Sequence, residues 1–133
     1  MSEKFHILAN FIKDISSETP DIQSYLFVKE NISKYKLNID ITSKAIKNKM
    51  IEVNTILKFE DKESNEKKSY FEITYVSIIR IGESVKEKKE LEKIIICDLQ
   101  NIIYPKLEKA FLNLLNDSGF PNVKMEKKIK FNE

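Results

Sequence analysis

The sequence predicts an α+β fold, a four-stranded antiparallel sheet with helices packed on one face. Three observations carry this. Period-two alternation of apolar and polar residues recurs in four stretches of the first 81 residues. After Gly82 the apolar spacing changes to three or four. The strand signals therefore precede the helix signals instead of interleaving with them. That order segregates sheet and helix into layers, and strands with one buried and one wetter face are the habit of an antiparallel sheet.

In the first strand Phe5, Ile7, Ala9, Phe11 and Ile15 share one parity, and His6, Asn10, Asp14 and Ser16 the other. Residues 17–34 follow as a long connection, interrupted by Pro20 and too irregular for a regular strand or helix. In the second strand Tyr35, Leu37, Ile39 and Ile41 alternate with Lys36, Asn38, Asp40 and Thr42. In the third, Ile51, Val53, Leu57 and Phe59 alternate with Glu52, Asn54, Lys58 and Glu60. The intervening IKNKM is short enough for a hairpin. The charged, glycine-free run at 60–68 reads as the tip of a second hairpin. Phe71, Ile73, Tyr75, Ile79 and Ile81 share a face of the fourth strand. A helix should cover one face of the sheet. The open face would then carry Asp14 and Thr42 together with Ile12, Ile56, Val76 and Ile78.

Leu91, Ile95, Leu99, Ile102 and Ile103 keep a three-to-four spacing. Pro105 breaks a helix interior but suits a first turn. The expectation is thus a short helical or irregular crossover over about 86–100 and a main helix over about 103–117. Leu107, Phe111, Leu114 and Leu115 give that helix its apolar stripe, and Gly119 stops it. The tail from Phe120 onward holds at most a short extended piece.

Composition excludes several classes. A chain of 133 residues is one domain by size. With Lys+Arg 23 against Asp+Glu 21 and a net charge of +2, it is not a dedicated nucleic-acid binder. The lysine-rich run at 85–93 reads as a solvated helical face, with anion binding as the rival reading. Cys97 is the single cysteine, which forbids an internal disulfide and fits a reducing compartment. The N-terminus has no apolar core of a signal peptide, and no apolar run approaches the ~20 residues that span a bilayer. A cytosolic protein is the expectation. Two glycines leave no phosphate loop. His6 is the sole histidine, with no orienting partner indicated, and reads as a solvated strand residue. Cys97 reads as a small buried hydrophobe. No His, Cys and acid set has metal spacing. Neither an enzyme nor a cofactor or metal site is expected.

Asp14 and Glu18 have the same parity, and Glu72 lies on the open parity of the fourth strand beside Tyr70. Ordinary solubility explains such acids. An acidic patch around an apolar spot would instead dock a basic partner.

Four stretches together resemble a known family. KDISSETP at 13–20 is similar to the Lys-Asp-Ile-Ser-x-Glu-x-Pro run near the start of the protein-export chaperone SecB. LNIDI resembles the family's second strand, NIIYPKLEKAF its helix start, and SGFPNV the Phe-Pro after the helix. Order and spacing agree across about residues 11–131, so the whole chain, 1–133, reads as one SecB-like domain. The resemblance implies a homotetramer, a dimer of dimers with helices sandwiched between two eight-stranded sheets. It implies an ATP-independent holdase of the bacterial cytoplasm, which binds unfolded preproteins in apolar grooves and hands them to the ATPase SecA. The family's SecA-docking acids fall on Asp14, Glu18 and Glu72, with the apolar contact on Tyr70. Ile22, Tyr25, Leu26 and Phe27 are the candidates for the client groove, joined by Phe131, which matches an aromatic near the family's C-terminal end. Neither nucleic acid nor membrane insertion is implied. A SecB-like chaperone dedicated to an antitoxin or another single client is the nearest rival.

Three features depart from the family pattern. Typical members are acidic, whereas this chain is slightly basic. A groove tryptophan is replaced near Asn31, with Tyr35 close by. The chain ends at KFNE, where a C-terminal helix and acidic tail are usual.

Overall fold

The computed structural model describes residues 4–60, 69–121 and 123. Its elements are β1 (Phe5–Glu18), α1 (Ile22–Asn31), a 3₁₀ turn (Ile32–Lys34), β2 (Lys36–Ala45), β3 (Met50–Glu60), β4 (Tyr70–Ile81), α2 (Lys88–Lys93), a π-helical segment (Ile94–Asp98) and α3 (Leu99–Asp117). The sheet is antiparallel, in the order β1-β4-β3-β2. The expected four strands and one-sided helical layer are present.

β3 and β4 form the centre of the sheet. Odd residues from Ile51 to Phe59 and from Phe71 to Ile81 are buried. They pack against Leu99, Ile103, Leu107, Phe111 and Leu115 of α3 in one core. Rings interlock in that core, with Phe59 edge-on to Phe111 at 5.9 Å and Phe71 edge-on to Phe120 at 5.7 Å, arrangements that add to area burial. One buried polar link crosses the layers. Gln100 donates to Thr55 Oγ1 at 3.0 Å on the helix side of β3. The same amide lies 3.3 Å from the Ile95 carbonyl, within the widened π-helical turn.

The hairpin at Ile46–Met50 forms as expected, with Asn48 and Lys49 both in the left-handed region. Most of the expected tip of the second hairpin, 61–68, lies outside the described residues, as does most of the tail, including Phe131.

Four expectations need correction. The connection at 17–34 is largely regular. β1 runs on to Glu18, and Ile22–Asn31 is an α-helix. Asp21 caps it by accepting from the Ser24 amide at 2.8 Å, a strong helix-start device. Second, residues 5–15 do not hold one face. Register shifts at Leu8 and Lys13 put two bulges into β1, so 9–12 are inverted relative to the residues on either side. Third, Ile12 consequently pairs with Tyr75 on the helix side instead of lying on the open face. Fourth, helix runs unbroken from Lys88 to Asp117, and Pro105 lies in the interior of α3, not in a first turn. The segment before Pro105 is already helical, so the proline costs a hydrogen bond without ending the element.

Candidate functional site

Two surfaces stand out, one on the open sheet face and one on α1. The first is the open sheet face. Pairing of β1 with β4 sets Glu18 opposite Tyr70, Ser16 opposite Glu72 and Asp14 opposite Thr74. Asp14, Glu18, Tyr70 and Glu72 therefore gather on one face within a few rungs, because even residues of both strands point away from the helices there. Ser16 donates to Asp14 Oδ2 at 2.8 Å and holds that carboxylate in place. Glu72 sits 3.5 Å from Lys58 on the neighbouring β3. The sequence reading missed this lysine. It reduces the negative charge of the patch on one flank, and an exposed pair of this kind contributes little to stability.

Further along the same face lie Val76, Ile56 and Ile78, as expected. Phe11 joins them. The bulges turn it outward opposite Val76, and it is 48% exposed. Asn10 turns inward in exchange, opposite Ser77. Asn10 Oδ1 and Ser77 Oγ are both buried without a hydrogen-bond partner. Each unsatisfied buried group costs about 1–3 kcal/mol.

The second surface is α1. Its four candidate client residues divide into two pairs. Ile22 and Leu26, four apart on one side, are 70% and 50% exposed. Tyr25 and Phe27 pack against the core. Tyr25 stacks on Phe120 at 5.1 Å and donates to the Gly119 carbonyl at 2.8 Å. Gly119 has a φ of +100°, and a Cβ there would lie 2.6 Å from the Tyr25 ring. Val28 is fully buried beneath the helix. Hydroxyl pairs Ser17–Ser118 and Thr19–Ser69 join the flanking strand to neighbouring segments. Tyr35, near the position of the absent tryptophan, is buried and donates to the Ser69 carbonyl at 2.6 Å.

Among the described residues β1 is an edge strand of the sheet, with Leu8, Ile12 and Ile15 between 42% and 49% exposed. An unpaired strand edge carrying apolar side chains is a template for another chain.

Cys97 is buried and His6 is exposed. Among the described residues no group of three or more His, Cys, Asp and Glu could hold a metal, and no helix is long and apolar enough to cross a membrane.

The fold is a one-sided α+β sandwich, with exposed apolar residues on α1 and acids gathered on the open sheet face. The chain is a member of the SecB family, whose model, described as preprotein translocase subunit SecB, matches residues 1–133. It is 62% identical over 133 residues to a Pelagibacter ubique chain assigned to SecB, covering all of this chain and 95% of that one. It is 28% identical to the protein-export protein SecB of Buchnera aphidicola, over 92% of this chain and 84% of the other. Among solved structures, the Mycobacterium tuberculosis SecB-like chaperone, in complex with an antitoxin peptide, matches with a TM-score of 0.61 at 9% identity. That match covers 94% of this chain and 91% of the other. SecB-family proteins are chaperones for protein export, and this chain shares their fold.

Proposed function

We propose that the chain is an ATP-independent holdase of the bacterial cytoplasm that binds unfolded preproteins and delivers them to SecA. One observation carries the reading: the exposed Ile22–Leu26 side of α1 lies outside a core that is already complete without it. An unfolded client offers apolar side chains and free backbone groups. Each aliphatic contact is worth only about 1.5–3 kcal/mol before ordering costs, so several must act along one client. Tyr25 and Phe27 position α1 in this scheme, and Ile22 and Leu26 meet the client. Phe131 is proposed to extend the same groove.

Assembly supplies that length. The free edge of β1 suits pairing with a second copy into an eight-stranded sheet, and Ile96 and Ile102, exposed on the helical layer, suit contact between two such dimers. The proposed state is a homotetramer built as a dimer of dimers. On the open face Asp14, Glu18 and Glu72 would dock a basic segment of SecA, with Tyr70 as the apolar contact. Service to a single client is the second reading, favoured by the antitoxin peptide on the M. tuberculosis neighbour. The export names of the nearer-in-sequence relatives favour the first.

The test combines oligomeric mass, aggregation of a denatured preprotein without ATP, and binding to SecA. The expected results are a tetramer, suppressed aggregation, and loss of SecA binding when Asp14, Glu18 and Glu72 become Lys, with suppression retained. A monomer that leaves aggregation unchanged would reject the holdase. Suppression confined to one client would select the dedicated reading.

A further inference from the structure

Plain alternation along residues 5–15 would bury Phe11 under the helices and leave Asn10 in water. The structure does the reverse. The bulge at Leu8 moves β1 out of phase with β4, and the bulge at Lys13 restores the phase. Only the short stretch between them is inverted. The inversion turns Asn10 inward, where its Oδ1 is buried without a partner beside the equally unpartnered Ser77 Oγ of β4, and it half-exposes an aromatic ring. Bulges of this kind re-aim side chains beside functional sites. A local loss confined to one spot of an otherwise consistent sheet marks a place used for something other than stability.

We propose that Phe11 is the apolar anchor of the open-face docking site, and that its occupant is a basic extended segment carrying one aliphatic side chain. The proposal rests on the reading of Asp14, Glu18 and Glu72 as docking acids, and it specifies what else their partner must present. The rungs run in order from Glu18–Tyr70 through Ser16–Glu72 and Asp14–Thr74 to Phe11–Val76. Acids thus occupy one end of a two-strand strip, and the everted ring the next position. From Tyr70 to Val76 an extended chain covers roughly 20 Å, about six residues. Val76, the cross-strand partner of Phe11, is 1% exposed, and Ile78 follows it on the same face. Carboxylates at one end select basic residues. The ring and its apolar neighbours select an aliphatic group a few positions further along. A second copy seated face to face would stack acid on acid, so the charge favours a basic occupant over the chain itself.

Two synthetic lysine-rich octapeptides serve as probes, identical except for Leu or Gly at one interior position. They are titrated by fluorescence anisotropy against the full chain at low salt. The wild type should prefer the Leu peptide by about tenfold, the weight of one buried aliphatic contact. Phe11→Ser should erase that preference. Phe11→Leu should keep most of it, and Asp14→Lys should weaken both peptides alike. The proposal is overturned if neither peptide binds, if the wild type shows no preference, or if the preference survives Phe11→Ser. It is equally overturned if Phe11→Ser changes the oligomeric mass, which would make the ring a contact between copies. Failure of the docking-acid reading registers separately, as peptide affinities that Asp14→Lys leaves unchanged.

Discussion

β4 has two neighbours, and they treat their side chains in opposite ways. On one side β3 alternates strictly from Met50 to Glu60, with each odd residue buried. On the other side β1 slips register twice, buries an unsatisfied amide and leaves most of its large apolar residues near half exposure. α1 extends the contrast, since it leaves Ile22 and Leu26 exposed while it buries Val28, whereas α3 confines its buried residues to one stripe. The difference teaches a division of labour. β3, β4 and α3 hold the fold together, and β1 with α1 offers surfaces that the isolated chain leaves uncovered.

Substitutions can break or sharpen that division. The largest loss should come from Phe111→Ala, which removes a fully buried ring between Phe59 and its neighbours. Urea unfolding should show a loss of about 3–5 kcal/mol; a loss below 1 kcal/mol would deny the central core its role. Gly119→Ala comes next. It forces a β-carbon toward Tyr25 at a positive φ, and a cost of about 1–3 kcal/mol is expected. Hydrogen exchange should show the loosening concentrated in α1; uniform loosening would mean that Tyr25 does not anchor the helix locally. Asp21→Ala removes the cap on the Ser24 amide and should cost about 1 kcal/mol, again read in α1 amides. Ser77→Ala should have the smallest effect, because it removes one of the two stranded buried groups. Stability should be unchanged or rise by up to about 1 kcal/mol. A clear loss would reveal a hydrogen bond made by that hydroxyl.

The legible and illegible parts of the sequence fall along the same division. Residues 51–59 and 71–81 announce a half-buried sheet because each side chain serves packing alone, and Leu107, Phe111 and Leu115 announce α3 for the same reason. α1 is hidden because Tyr25 to Val28 are consecutive apolar residues, and an apolar stripe cannot be picked out of them; Asp21 before the run was the usable signal. The bulges are hidden more deeply. Leu8 and Lys13 each break the alternation of β1, but a single exception does not reveal a bulge, because register is a property of the pair of strands, not of one of them. Pro105 points to a helix start at the wrong place, because the turns before it fold without its N–H. Among the candidate site residues, parity puts Asp14, Glu18 and Glu72 on the open face, and the resemblance to SecB joins them with Tyr70. Lys58 and Phe11 did not, since one depends on strand order and the other on the bulges.

The central claim is that α1 carries a binding surface the fold does not need. The direct measurement compares wild type with an Ile22→Ser and Leu26→Ser double variant, matched for urea midpoint, in suppressing aggregation of a denatured preprotein. The account predicts nearly equal stability, with suppression lost in the variant. Equal suppression by the two proteins, or unfolding of the variant at a much lower urea concentration, would contradict it.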